Sequence, residues 1–414
     1  MKRPFALIGI TYLSVQAALF YLESDLAAAI LTAVCFIGTI VSLFILKNRN
    51  LRHTVLGFCL TAAFASTIFS GYNIFVKQPI VDKYSEREIY VTATVLEQPT
   101  VQYDTYRYLI ETDSINGKIE KLKICLSTIN ELNVEEFDRI SCVLPLKECT
   151  KSQMIADGAF LQASVNKNFA YIVKKTDDKP LYYQAVKIRE NFADSFEQNM
   201  SQDCASLCRA VLLGEKSALS QEIQNDFTRC GVSFLIVVSG MHLAIISSFV
   251  FLCIKKIIKN RVLRSMIMLT CAFSFMAVTG FAPSVVRAGV MLAVVYSGKM
   301  FMRKGDSLNS LGIAALILTV PNPTAVADVG MLLSFTATLG IILWARKISV
   351  YIMGKFAKLK RIKKPVEFTV NLFAVSVSAA VWTMPISVLM FGKVSVFSIL
   401  LSVILSPAVS VLVA

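Results

Sequence analysis

Apolar residues run along this chain in two rhythms. Over the first 76 residues, and again from residue 232 onward, they form long stretches with almost no formal charge; between these blocks they alternate singly with polar residues. A helix rises ~1.5 Å per residue, so about twenty apolar residues cover the ~30 Å hydrocarbon core of a bilayer. Phe5–Leu22, Leu26–Leu46 and Thr54–Val76 reach that length, and the pattern predicts seven further spans over 232–254, 265–280, 283–301, 308–320, 326–345, 367–391 and 394–414. The first run follows Lys2 and Arg3 as a signal peptide would. It is long for one, no small-x-small cleavage site precedes Glu23, and another span follows, so it reads as an anchor. The last run reaches Ala414 without a polar flank, and the expectation is that the chain ends inside its membrane domain.

From Glu88 to Lys175 the period shortens to two. Ile89, Val91, Ala93 and Val95 alternate with Tyr90, Thr92 and Thr94; Tyr106–Glu111 follows, and Asn116-Gly117 supplies a two-residue hairpin turn. Ile119–Ser127 has Leu122, Ile124 and Leu126 on one face against Lys121, Lys123 and Cys125. Phe137–Lys147 and Phe169–Lys174 bring the expected strands to about five. That count fits a small antiparallel barrel of OB type, and periodicity alone leaves a small sandwich open. Beyond Pro180 helical spacing returns. Val186, Ile188, Phe192, Phe196 and Met200 form an amphipathic stretch that either lies on the membrane surface or caps the barrel.

The chain has 414 residues, 55% of them hydrophobic, with a mean hydropathy of +0.61 and net charge +14, values that exclude a set of ordinary soluble domains. Such a positive charge invites a nucleic-acid reading, but its distribution redirects it. Lys77–Cys230 holds 19 basic and 23 acidic residues, net −4, whereas the remainder holds 23 and 5, net +18. The excess sits in short loops beside spans: Lys47, Arg49 and Arg52; Lys255 through Arg264; Lys299, Arg303 and Lys304; and eight residues from Arg346 to Lys364. Placing every cluster inside puts the N-terminus in the cytoplasm and residues 77–230 outside.

Ten cysteines and two histidines, His53 and His242, form no Cys-x-x-Cys or His cluster, so neither a metal nor any other cofactor is expected. With the polar block outside, one disulfide between two of Cys125, Cys142 and Cys149 competes with three free thiols. Within the spans, polar residues carry the functional expectation, because each costs free energy in lipid. Ser239, Gly240 and His242 lie in the 232–254 span: the glycine permits close helix approach, and the histidine reads as a packed or path-lining group. Arg287 falls about one turn inside its span, where it either snorkels to headgroups or faces a vestibule. Asp328 opens the following outward-starting span as a helix cap or as a partner for Arg287. Ser334, Thr336 and Thr338 recur every second residue, and bonding back to the helix is the ordinary fate of such hydroxyls.

Three stretches together resemble the membrane domain of the ComEC family of competence proteins: LeuLeuGlyGluLysSerAlaLeuSer (212–220) running on to CysGlyValSerPhe (230–234) and SerGlyMetHisLeu (239–243); GlyPheAlaProSerValValArgAla (280–288); and AspValGlyMetLeuLeuSerPheThrAla (328–337) with Gly340. Three spans, an OB-like block and this domain follow one another in the family's order. The chain departs from the family at Met331 and Leu332, where Phe-Gln is usual, and at Phe234, where His is common. The metallo-β-lactamase-like domain of many members is not in this sequence. The resemblance implies a membrane channel taking single-stranded DNA into the cytoplasm during transformation, an external DNA receptor, a cytosolic motor ATPase, and no enzymatic activity in this part. It also makes Tyr90, Tyr103, Tyr106 and Tyr108 candidates for stacking bases on the barrel. The block's negative charge favours a scaffold role equally.

The reading is a polytopic α-helical membrane protein with an inserted extracytoplasmic small β-barrel of OB-like type. Its expected parts are a three-helix anchor (1–76), the barrel (77–180), surface helices (181–230) and a competence-type domain of about seven spans (231–414), in contact with lipid and open to homo-oligomerisation. A permease for a smaller solute predicts inverted repeats, and none is evident. An intramembrane enzyme needs a catalytic constellation that Ser239 and His242 alone do not make.

Overall fold

The computed structural model describes residues 3–22, 25–44, 48–102, 105–166, 169–175, 179–180, 182–215, 219–230, 238–302, 305–355 and 363–392, with isolated residues 401 and 405. They fall into two compact units. One comprises Ile10–Lys187 and Leu316–Asp328, the other Arg3–Gly9, Ile188–Ala315 and Val329–Ala414.

The first unit begins with helices α1 (Pro4–Leu22), α2 (Asp25–Phe44) and α3 (Arg49–Tyr72). Small residues let them approach: Ala28, Cys35, Cys59, Ala62 and Ala65 pack with Tyr12, Val15 and Leu19. Beyond Tyr72 the helix does not stop. It passes through a π turn, Asn73–Lys77, into α4 (Gln78–Tyr84), so one helical stretch of 34 residues, Leu51–Tyr84, runs from the apolar region to the first strand.

The strands are β1 (Arg87–Val95), β2 (Thr100–Gln102), β3 (Thr105–Ile115), β4 (Lys118–Ile119), β5 (Lys123–Thr128), β6 (Arg139–Glu148), β7 (Ala159–Val165) and β8 (Tyr171–Lys174). Five of them close a barrel in the order β1-β3-β5-β7-β6, and β6 returns to β1 over Arg87↔Leu146 through Thr94↔Arg139. β5 and β7 are parallel and the other barrel pairs antiparallel, which is the OB arrangement. Bulges at Thr92/Ala93 and Lys123/Ile124 supply local bend for closure. The interior holds Ile89, Val91, Ala93 and Val95 of β1 against Ile110, Ile124, Ile140, Leu144, Leu146 and Leu161. Asn116 and Gly117, at φ 48° and 80°, make the expected hairpin turn.

Two strand expectations need correction. The fifth barrel strand is β7, while the expected 169–174 stretch is β8, which pairs only with β6. β7 does alternate, with Leu161, Ala163 and Val165 in the barrel interior against Gln162 and Ser164, but the signal spans only five residues, two of them as small as Ala163 and Ser164. Residues 119–127 do not form one strand either. The chain breaks at Glu120–Leu122, where the buried Thr112 hydroxyl donates to Glu120 O (2.7 Å) and accepts from Leu122 N (2.8 Å).

A short helix, α5 (Ser152–Ala156), covers the outer side of the barrel at Leu109, Cys125, Cys149 and Phe160. It meets a 3₁₀ turn, Pro323–Ala327. Asn322 caps that turn by accepting from Thr324 N (3.2 Å) while its Nδ2 donates to Ala156 O (2.7 Å). The turn just before the 329–340 helix is thereby tied to the barrel.

The second unit holds α6 (Tyr183–Asn199) from Ile188 onward, α7 (Gln202–Cys208), a π turn at Arg209–Leu213, α8 (Gln221–Arg229), α9 (Gly240–Ile257), α10 (Arg261–Val278), α11 (Pro283–Met300), α12 (Ser307–Thr319) as far as Ala315, α13 (Val329–Gly340), a π turn at Ile341–Ala345, α14 (Arg346–Lys355) and α15 (Lys363–Phe391). Helices α12 and α1 begin in it, and their crossing there is as close as backbones permit: a Cβ on Gly312 would lie 2.0 Å from Phe5 O, and one on Gly9 would lie 2.1 Å from Gly312 O. Among the described residues six helices are long and apolar enough to cross a membrane: Pro4–Leu22, Leu51–Tyr84, Gly240–Ile257, Arg261–Val278, Val329–Lys355 and Val366–Phe391. The expected span at 394–414 and the start of that at 232–254 lie outside the described residues.

The amphipathic stretch is rotated from its sequence reading. Val186, Arg189 and Ala193 face inward on α6, whereas Ile188, Phe192 and Met200 are exposed. An arginine on the buried stripe is the physical reason: Arg189 pairs with Glu215 (3.3 Å), both side chains under a tenth exposed. Arg209 reaches the other carboxylate oxygen at 2.8 Å and also bonds Glu197. A single buried carboxylate therefore carries two guanidinium groups.

Candidate functional site

Helices α9, α10 and α11 of the second unit pack on one another, and each carries buried polar residues. Ser239 sits in extended conformation at the N-cap of α9, and its Oγ accepts from Met241 N (3.3 Å). His242, at the third helical position, closes the box: its Nδ1 accepts from Ser239 N at 3.0 Å and lies 3.0 Å from Ser239 Oγ. The Ser–His proximity visible in the sequence is therefore a helix cap. The backbone N–H brings a proton to Nδ1, so that nitrogen is the acceptor and the neutral ring carries its own proton on Nε2. His242 is 2% exposed, and among the described residues Nε2 has no hydrogen-bond partner.

Gly240 fixes the crossing of α9 and α11, since a Cβ there would lie 2.9 Å from Ala288 Cβ. Next to Ala288 stands Arg287, 5% exposed. Its side chain is buried within this unit, which departs from the snorkelling alternative. At the head of α11, Ser284 donates its hydroxyl to Val238 O (2.5 Å), tying the residue before Ser239 to the turn Thr279–Phe281 and Pro283. That turn contains Gly280 and Phe281 at φ 66° and 51°. Gly214, at φ 89°, faces the same place: a Cβ on it would lie 3.4 Å from Thr279 O and 3.5 Å from Val238 Cγ2. Two of the three motif stretches, 212–220 with 239–243 and 280–288, are thus in direct contact.

The third stretch supplies α13, which packs on α11 and α15. Thr336 and Thr338 bond back to Leu332 O and Ser334 O at 2.8 Å, the expected fate, and Ser334 is half-buried. Met331 and Leu332, the positions that depart from the family pattern, are both buried. Gly340 admits Trp382 of α15, whose Cγ would lie 2.5 Å from an added Cβ, and Trp382 meets Trp344 edge-on. Asp328 belongs to the first unit and follows the 3₁₀ turn. Its charge is felt at Asp157, whose carboxyl is pushed from 3.8 to about 7 by burial, then by Glu97 and Asp328, against an opposing effect of Lys123.

On the barrel, Tyr90 is half-exposed on the outer face of β1 and Tyr106 is partly buried at the start of β3. Tyr103 lies outside the described residues. Tyr108 drops out as a surface contact: it is 1% exposed, its hydroxyl accepts from Leu132 N (2.8 Å), and burial pushes its pKa up to about 12. Cys125 is buried too, because α5 covers what the alternation marked as a polar face. Cys125 and Cys149 share that outer cluster, whereas Cys142 lies in the barrel interior with its thiol pushed up to about 12 by burial. All three are free thiols here. No group of three His, Cys, Asp or Glu side chains among the described residues is placed to hold a metal ion.

Sequence reasoning missed Glu215, Ser247, Ser284 and Trp382. Glu215 and Ser284 sit within motif stretches, which was their available signal. Ser247 is 3% exposed one to two turns along α9 from His242, with no hydrogen-bond partner among the described residues, and no local pattern marks it.

The fold and this helix hub define a class: a polytopic helical membrane protein carrying an inserted OB-type barrel. Residues 211–414 match the family model described as Competence protein, and over that region the chain resembles the competence protein family. ComE operon protein 3 of Bacillus subtilis (strain 168) is 22% identical over 225 residues, which is 54% of this chain and 27% of that relative. The chain thus covers about a quarter of the relative's length. No solved structure matches.

Proposed function

We propose that this chain forms the membrane part of a conduit carrying single-stranded DNA into the cytoplasm during natural transformation. The observation that carries the reading is the contact of the motif stretches at the α9–α11 crossing, between helices that also hold the buried His242 and Arg287. A guanidinium is the side chain best suited to meet a phosphodiester in two parallel, charge-assisted hydrogen bonds. Ser239, Gly240, His242, Arg287, Asp328 and Ser334 are the residues assigned to the path, and Tyr90 and Tyr106 those that meet bases on the barrel.

The reading includes the orientation drawn from charge: a cytoplasmic N-terminus, residues 77–230 outside, an external receptor delivering DNA and a cytosolic motor drawing it through. Its domain layout is a three-helix anchor, a barrel, surface helices and a competence domain. The exposed apolar residues Ile188, Phe192 and Met200 on α6 support contact of that helix with the membrane surface.

Transformation frequency tests it. A strain lacking the gene should lose transformation and regain it with the wild-type gene. Arg287→Ala should restore less than a tenth of that frequency at equal protein level and equal membrane insertion. Full restoration by the variant takes Arg287 out of the path, and unchanged frequency in the deletion strain ends the conduit reading. Tags in the 47–53 and 346–364 loops, probed on intact cells, should be protected.

A further inference from the structure

Away from the helix hub, three sulfur atoms gather at the corner between α6 and α7. Helix α6 ends at Asn199, Met200 N donates to Phe196 O (3.0 Å), and Ser201 leads into α7 in extended conformation. That corner places the Met200 thioether 3.8 Å from the Cys208 thiol, which donates to it. Cys204 stands one helical turn before Cys208 on the same face of α7. The Cys208 thiol is pushed up by burial and, after that, by Cys204, so the two sulfurs are close enough to feel each other. Cys208 is 8% exposed, whereas Met200 and Cys204 are open to the medium. One sulfur is thus anchored inside the unit, and two are within reach from outside.

A 3.8 Å separation is close to what a shared ion requires. Metal–sulfur bonds of ~2.3 Å in a trigonal plane hold the sulfurs about 4 Å apart. The donor set decides which ion. Thioether and thiolate are soft and polarisable, and together they select copper(I). Zinc draws its ligands from thiolate, imidazole and carboxylate, and no group of three of these is assembled among the described residues. We propose that Met200, Cys204 and Cys208 bind one copper(I) ion and so fasten the end of α6 to α7. Binding replaces two S–H bonds with two copper–thiolate bonds and releases both protons to the medium; the copper stays in the +1 state and the thioether completes its shell. The Met-x₃-Cys-x₃-Cys spacing escapes a search for Cys-x-x-Cys pairs.

The test is an anaerobic titration of the full chain in lipid nanodiscs, reduced and metal-free, with Cu(I) against a competing bicinchoninate chelator. One tight equivalent should bind. X-ray absorption on that complex should show three sulfurs at ~2.3 Å, and the melting temperature should rise with bound copper. Losing even an outer partner of a metal site costs about 10–100-fold in affinity, so Cys204→Ser, which removes an exposed ligand, should cost about a hundredfold or more. Met200→Leu keeps an apolar side chain and should cost about tenfold, with two sulfurs left in the shell. Both variants should melt with the wild type when copper is absent. Cys230→Ser, at another exposed thiol, should leave the affinity unchanged.

Wild-type affinity in Cys204→Ser or in Met200→Leu overturns the proposal, as does a shell of fewer than three sulfurs in the unaltered chain. A mass lower by two hydrogens, mapped to a Cys204–Cys208 disulfide in the chain isolated without reductant, also overturns it and makes the pair a covalent staple. None of these outcomes bears on the conduit reading, which the transformation assay decides separately.

Discussion

The barrel and the α9–α11 hub differ in what their buried hydroxyls and ring nitrogens do. In the barrel, hydroxyls are used up by backbone. Thr112 answers two groups at a strand break, Tyr108 accepts from Leu132 N, and Thr128 donates to Asn130 O. In the hub, Ser239 and one nitrogen of His242 close a cap, and Nε2 of the same ring and the Ser247 hydroxyl stay without partners among the described residues. The barrel is not free of such atoms, since the buried Asp138 Oδ1 also lacks a partner among the described residues, but its hydroxyls are the groups that hold its loops in shape.

The sharpest way to break this contrast is at the close crossings, where the helical unit depends on having no side chain at all. Gly312→Ala would drive a Cβ against the Phe5 carbonyl and should cost about 4 kcal/mol or more, seen as a large drop in melting temperature in detergent. A stable variant would mean the crossing gives way easily. Next comes Glu215→Ala, which leaves Arg189 and Arg209 without their shared carboxylate and should cost about 3–5 kcal/mol, with Glu215→Gln costing less.

Tyr108→Phe strips one acceptor from a barrel loop and should cost about 1–2 kcal/mol, with no change in DNA binding. The same binding assay on Tyr90→Ala, at a half-exposed outer position, should show weaker strand binding and unchanged stability. Equal behaviour of the two variants would erase the division into scaffold interior and contact surface. The smallest effect concerns pH. Asp157 keeps its proton to about 7 when folded and to 3.8 ordinarily, so the unfolded chain releases a proton first and stability falls as pH rises from about 4 through 7. Asp157→Asn should flatten that slope and raise stability at pH 8 by about 1 kcal/mol, a figure reduced for its partial exposure.

Much of the barrel was legible because period two is a local property. Ile89, Val91, Ala93 and Val95 declare an inward face within nine residues, and Asn116-Gly117 declares its turn. β7 was less so, since its alternation covers only Leu161–Val165 with small residues at Ala163 and Ser164, and Cys125 misled because a helix from elsewhere in the chain covers its face. Similarly, α6 looked like a simple apolar stripe until the partner of Arg189 was in place.

Alone, the sequence determined which segments are apolar enough for a membrane, the hairpin and strand periods, the charge asymmetry and the three motif stretches, because each depends on neighbours within a few residues. Only the tertiary structure decided that β5 and β7 close the barrel in parallel, that Glu215 serves two arginines, and which nitrogen of His242 is spoken for. Those facts depend on groups brought together from distant positions, or on the direction of a single bond, and neither leaves a periodic trace in the chain.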